Sequence, residues 1–133
     1  MKPFLSFLVA AFLLAANINA QNADKKTTLD DRTYSIHLKM TEGKKGNWQW
    51  VNDELVFSDG KLKAQFMNKK ERFSPSDVVV SGSSEISFES TMHNPGGSEI
   101  KWNGTIKGNT IFGTAVWTNL SGTHSYSFKG TAK

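Results

Sequence analysis

No cysteine occurs anywhere in the 133 residues. That excludes a disulfide framework, a thiolate nucleophile, a thiolate metal site and a lipid anchored on a cysteine. The fold must stand on its core alone. Clustered histidines and carboxylates are also missing. His37, His93 and His124 are isolated, and neither H-x-H nor H-E-x-x-H is present. Metal or general-base chemistry draws on such clusters, so no metal ligand and no cofactor is expected. G-x-S-x-G is absent, and the turn glycines Gly96-Gly97 and Gly108 do not form a phosphate loop. Asp30-Asp31, Asp53-Glu54 and the pair Glu85 and Glu89 are the nearest paired carboxylates, and Glu85 and Glu89, on the outer face opposite Phe88, read as surface charge. Hydrolase activity is therefore the most distant of the functional readings.

Apolar runs are short, with one exception at the N-terminus. Lys2 precedes an uncharged stretch from Phe4 to Ala16, and Ile18-Asn19-Ala20 places a small residue before Gln21. This is the grammar of a secretory signal peptide over residues 1–20. The run is shorter than the roughly 20 residues that span a bilayer, so no membrane span is expected after cleavage. The expected compartment is secreted or periplasmic. Residues 21–31 are polar and read as a flexible lead-in, and 32–133 as one domain. The net charge of +4 is small and spread along the chain. Export and inward-facing aromatics argue against a nucleic-acid partner.

A helical period is absent from the mature chain. Short alternating runs recur instead, about every 8–12 residues, which is the mark of an all-β sandwich or barrel. Tyr34, Ile36, Leu38 and Met40 alternate with polar residues. Leu55 and Phe57 lead into Asp59-Gly60, and Leu62, Ala64 and Phe66 follow. Asp-Gly between alternating runs signals a two-residue hairpin, pairing Phe57 with Leu62. Residues 68–77 read as a long connection. Trp48 and Trp50 share one parity and Leu55 and Phe57 the other, so a bulge or turn at Val51-Asn52-Asp53 is required. The face taken by the two tryptophans is left open.

The C-terminal half specifies a register. A turn at Gly108-Asn109 pairs Ile106 with Ile111, Gly104 with Gly113 and Trp102 with Ala115. A loop over 94–98 pairs Phe88 with Gly104. A turn at Ser121-Gly122 pairs Trp117 with Tyr126 and Gly113 with Gly130. Four strands then share one apolar face. Phe88, Gly104, Gly113 and Gly130 form a single row across it. Glycine leaves nothing to pack in a strand interior. Three explanations stand: tight coiling of the sheet, an aromatic ring lying across the gap, or an opening for a ligand. The expected fold is an up-and-down antiparallel meander of about seven or eight strands, closed as a barrel or half-barrel. On the outer face, Phe112 and Val116 are apolar exceptions.

Gly46-Asn47-Trp48 is similar to the G-x-W signature of the calycins, the lipocalin and avidin-like barrels. "LVFSDGKLKAQF" and "IKWNGTIKGNTIFGTAVW" with "YSFKGTAK" resemble small exported bacterial barrel proteins. The resemblance implies a β-barrel and transfers no catalytic residue. Two functions follow as expectations. One is a non-enzymatic binding module for a small apolar or aromatic ligand, or a glycan, at the barrel mouth, lined by Tyr34, Trp48, Trp50, Phe66, Phe88 and Trp102. The other is a protein-interaction or structural module of the cell envelope, using the outer face around Phe112 and Val116.

Overall fold

The computed structural model describes residues 28–46 and 48–133, so the expected signal segment lies outside the described residues. Strands β1 (Arg32–Glu42), β2 (Asn52–Ser58) and β3 (Lys61–Ala64) are followed by helix α1 (Gln65–Lys70). Strands β4 (Ser76–Ser81), β5 (Glu85–His93), β6 (Glu99–Lys107), β7 (Thr110–Asn119) and β8 (Gly122–Ala132) complete the chain. Every strand pairs antiparallel with its sequence neighbour, and β8 pairs with β1. The meander is a closed eight-stranded barrel. Closure removes both sheet edges, which is how such a sheet avoids edge-to-edge aggregation.

Period-2 patterning builds the wall. Tyr34, Ile36 and Leu38 of β1, Leu55 and Phe57 of β2, and Ile86, Phe88 and Met92 of β5 are buried, while their neighbours in sequence are more exposed. The Asp59-Gly60 turn pairs Phe57 with Leu62 and Leu55 with Ala64 as expected. Asp59 and Gly60 both have positive φ, 55° and 74°, as a hairpin turn of this kind requires. The β5–β6 and β6–β7 pairings also follow the expected register, including Phe88 with Gly104 and Gly104 with Gly113.

The β7–β8 turn differs. Its central residues are Leu120 and Ser121, so Asn119 pairs with Gly122, Trp117 with His124, and Gly113 with Phe128. The Asn119 side chain decides this. Its Oδ1 accepts from Ser121 N at 2.8 Å and Ser121 Oγ at 2.6 Å, closing a side-chain turn at that position. The pairing moves by two residues, so the inward face survives. The glycine row does not. Gly130 leaves it and sits between Ile111 and Ile36. The row now reads Phe88, Gly104, Gly113, Phe128.

Two of the three explanations for the glycines hold together. A Cβ built on Gly104 would lie 2.5 Å from Cε2 and Cζ of Phe88 and 3.1 Å from Cζ of Phe128. The Phe88 ring therefore crosses that position. At Gly113 a Cβ would strike the Asn103 carbonyl oxygen and come within 2.6 Å of Gly104 Cα. At Gly130 it would strike the Ser35 carbonyl oxygen. These two glycines let neighbouring backbones close in as the small barrel coils.

The end that carries the β2–β3, β4–β5 and β6–β7 turns is plugged. Residues of the polar lead-in expected over 21–31 belong to the barrel here. Leu29 is fully buried, Asp31 N donates to the Phe57 carbonyl at 2.7 Å, and Gly60 N donates to Asp30 Oδ1 at 3.0 Å. Above the plug, Tyr34, Phe57 and Phe88 meet edge to face, with centroids 6.0 and 5.2 Å apart.

Helix α1 is the second departure. Phe66 continues the alternation of Leu62 and Ala64, yet it sits in the first turn of the helix and is 40% exposed. The cause is distant in sequence. Asp53 of β2 points inward, and its carboxylate accepts from Phe66 N at 2.7 Å and Met67 N at 3.3 Å. It supplies the cap that the residue before the helix, Ala64, lacks. Strands β3 and β4 share only the pairs Lys61 with Asp77 and Leu62 with Ser76. The segment 71–75 is held by Asn94 Nδ2 on the Glu71 carbonyl (2.9 Å) and by Ser74 N on the His93 carbonyl (3.1 Å).

Candidate ligand-binding site at the barrel mouth

The opposite end is open. A cleft of about 700 Å³ lies between the β1–β2 connection and the adjoining ends of β1, β7 and β8. That volume is within the usual range of small-molecule sites, ~300–1,000 Å³. Its wall includes Leu38 and Met40 of β1, Trp48 and Trp50 of the connection, Trp117 of β7 and Tyr126 of β8.

Aromatic contacts run from the cleft into the core. Trp48 lies over Trp117 at 5.8 Å between centroids and 35° between planes. Trp50 meets Tyr126 at 5.0 Å, Trp102 at 5.5 Å and Trp117 at 6.3 Å, each steeply inclined. Trp102 then meets Phe128 at 5.4 Å. Edge-to-face pairs of this kind add about 0.5–1.5 kcal/mol each beyond area burial. Trp50 is 1% exposed and is the floor of the cleft, whereas Trp48 is half-buried at its edge.

Asp53 holds the floor in place. Trp50 Nε1 donates to Asp53 Oδ2 at 3.0 Å, and Glu54 N donates to Oδ1 at 2.7 Å. One carboxylate thus fixes the indole that floors the cleft and the start of α1. Burial pushes the Asp53 pKa above the ordinary carboxylate value; the hydrogen bonds from Phe66 N, Glu54 N, Trp50 Nε1 and Met67 N pull the other way without cancelling it. Burial also raises the Tyr126 phenol, which stays neutral.

Other polar groups in this wall have no partner. Trp117 Nε1 and His124 Nδ1 are enclosed and unpaired, as is Trp102 Nε1 deeper in the barrel. His124, isolated in sequence, is 7% exposed rather than solvated. Its Nε2 lies 3.3 Å from Ser121 Oγ. Ser121 Oγ gives its proton to Asn119 Oδ1, which leaves it free to accept from the His124 ring. Nδ1 faces Gly43, where a built Cβ would be 2.7 Å away. Ser121 and His124 do not form a poised nucleophile and base, since the serine proton points at Asn119 and no carboxylate orients the imidazole. Among the described residues no group of three or more His, Cys, Asp or Glu could hold a metal.

Of the six residues expected to line the mouth, Trp48 and Trp50 do. Tyr34, Phe88 and Trp102 are core residues, each at most 3% exposed. Phe66 is on α1, with its ring 5.8 Å from Trp48. Trp117 and Tyr126, which register analysis placed on the inner face, are the wall residues that expectation missed. Lys39, Lys44 and Lys45 line the same cleft, with Glu71 the acidic residue among its walls. Lys44 and Lys45 lie in a polar stretch without a motif, and only the folded connection brings them to the mouth; Lys39 is an exposed position of the β1 alternation.

On the outer face, Phe112 is 44% and Val79 64% exposed, beside a furrow of about 340 Å³ over Gly104 and Gly113. Nothing among the described residues covers Phe112.

Fold and cleft define a class: a small closed up-and-down β-barrel, plugged at one end and carrying an aromatic cleft at the other. No family model, no curated protein and no solved structure matches this chain.

Proposed function

We propose that this is an exported, non-enzymatic binding protein of calycin type that takes a small apolar or aromatic ligand, or a glycan, in the cleft at the barrel mouth. One observation carries the reading. Three indoles, Trp48, Trp50 and Trp117, converge on a cleft of about 700 Å³, whereas the cavity of about 480 Å³ at the opposite end is lined mostly by polar residues and has no indole. Such rings present wide, rigid surface for stacking at little entropic cost. The absence of a poised nucleophile or clustered acids among the described residues leaves hydrolysis without support. The exposure of Phe112 favours the second reading, an interaction or structural module of the cell envelope that docks through its outer face; Val116, expected beside it, is half-buried, and Val79 of β4 is the exposed apolar residue across the same furrow.

Intrinsic tryptophan fluorescence tests the first reading. Titration with 1-anilinonaphthalene-8-sulfonate and, separately, with soluble hexose oligosaccharides should give a saturable change with one of them. Trp48→Ala and Trp117→Ala should weaken it at least tenfold while leaving the fold's circular dichroism intact. A linear, non-saturating response to both, up to millimolar ligand, would refute the reading.

A further inference from the structure

The cleft is aromatic at its floor and basic at its rim. Lys39, Lys44 and Lys45 line it, all exposed, and none forms an ion pair with a described residue. Elsewhere on the barrel Lys61 pairs with Asp77, Lys107 with Glu85 and Lys133 with Glu54, while Lys63, Lys69, Lys101 and Lys129 form no ion pair with a described residue either, so it is the grouping of three lysines in one cleft that marks the mouth. Among the described residues Glu71 is the one carboxylate in the cleft wall. A fourth lysine, Lys70, stands over the Trp48 ring at 5.3 Å from its centroid, within cation–π range. The cleft wall thus carries a local excess of positive charge, although Glu42 ends β1 between Lys39 and Lys44. Low-dielectric aromatic walls focus such a field onto what enters.

The unpartnered polar atoms of this wall are of mixed kind: Trp117 Nε1–H is a donor only and has no acceptor, whereas His124 Nδ1 can accept. A buried donor left unmet is costly, so a turn of the Trp117 ring that meets an acceptor on a ligand is favoured. His37 also lines the cleft, but its Nδ1 is engaged with Asn52 Oδ1 at 3.2 Å.

We infer that the preferred ligand of this cleft is an anion with a flat apolar body, an aryl carboxylate in chemical class. The ring lies against Trp48, Trp50 and Trp117, and the carboxylate lies at the rim among Lys39, Lys44 and Lys45. This inference rests on the binding reading above and adds the charge of the ligand to it.

Naphthalene-2-carboxylate and naphthalene-2-carboxamide separate the two. They share ring and size and differ in charge. Calorimetric titration of the full barrel at low ionic strength should show the carboxylate binding at least tenfold tighter, about 1.4 kcal/mol. Added salt should shrink that ratio, because exposed charges are screened. Lys39→Gln, Lys44→Gln and Lys45→Gln combined should bring it towards one, the carboxylate losing more affinity than the carboxamide. Glu71→Gln should raise carboxylate affinity. Equal affinity of the wild-type barrel for both compounds overturns the charge inference and leaves the aromatic cleft standing. Tighter binding of 2-naphthylmethylammonium than of the carboxylate overturns it as well, and assigns the mouth to cations. Failure of all three compounds to bind overturns the inference together with the aromatic-ligand form of the binding reading, which the oligosaccharide titration tests separately.

Discussion

Asp53→Ala removes one carboxylate and should be felt at both ends of what it holds. Four N–H groups donate to it: Glu54 N and Phe66 N at 2.7 Å, Trp50 Nε1 at 3.0 Å and Met67 N at 3.3 Å. Phe66 and Glu54 are not fully buried, so water can replace their partner. Trp50 and Met67 are at most 1% exposed, and their donors would be stranded. At about 1–3 kcal/mol for each buried unmet group, the cost lies at about 2–6 kcal/mol. Relief of the carboxylate's own desolvation, the largest influence on its pKa, places the expected loss in the lower half, about 2–4 kcal/mol. For a domain of this size that lowers Tm by roughly 8–25 °C. Urea melts followed by tryptophan fluorescence measure it. Trp50 should also report a changed environment in the folded baseline. A loss below about 0.5 kcal/mol, the range of an ordinary surface substitution, would refute the claim that one carboxylate anchors both Trp50 and α1.

The same group predicts a pH slope: its folded pKa is raised, so the native state binds more protons than the unfolded one, and stability should fall as pH rises from the ordinary carboxylate value through the raised one, then level off. Asp53→Asn should flatten that slope in urea melts taken between acid and neutral pH. Gly104→Ala should cost about 1–3 kcal/mol because the new methyl meets the Phe88 ring, and Phe88→Leu should restore part of that loss in a double-mutant cycle; strict additivity would show that the ring does not cross the glycine. Gly113→Val should cost at least as much, and no second-site side-chain change should rescue it, since the clash is with the Asn103 carbonyl and Gly104 Cα; a neutral melt would show the β6–β7 register to be wrong. Leu29→Ala should destabilise the barrel by about 2–5 kcal/mol as a core truncation does, whereas a residue in a frayed leader would be silent in the same thermal melt.

Much of the barrel was legible because strand period and turn chemistry are local. Asp59-Gly60 and Gly108-Asn109 announced their hairpins, and alternation placed Phe88, Trp102 and Ile106 inside. The β7–β8 turn was misplaced by one residue because Gly122, with φ of 125°, looked like a central turn position. The Asn119 side chain made the turn one step earlier. Helix α1 was illegible for a stronger reason: its cap comes from a residue twelve positions before its first residue. The site followed the same division. Trp48 and Trp50 were named from composition, but their face depended on the Asp53 anchor. Trp117 and Tyr126 had the correct parity and were read as packing. The lysine rim depends on where the β1–β2 connection lands, which no short-range pattern encodes.

The β1–β8 seam has a consequence in time. It joins Tyr34 to Ala132 and Leu38 to Phe128, the two ends of the described chain. Without a disulfide, no covalent staple can hold β1 in readiness. The girdle therefore closes only when the last strand is at hand, and until then β1 offers one bare edge. Distant pairings of this kind make for slow folding. The mouth cleft, shared between β1, β7 and β8, is assembled at the moment the ring closes.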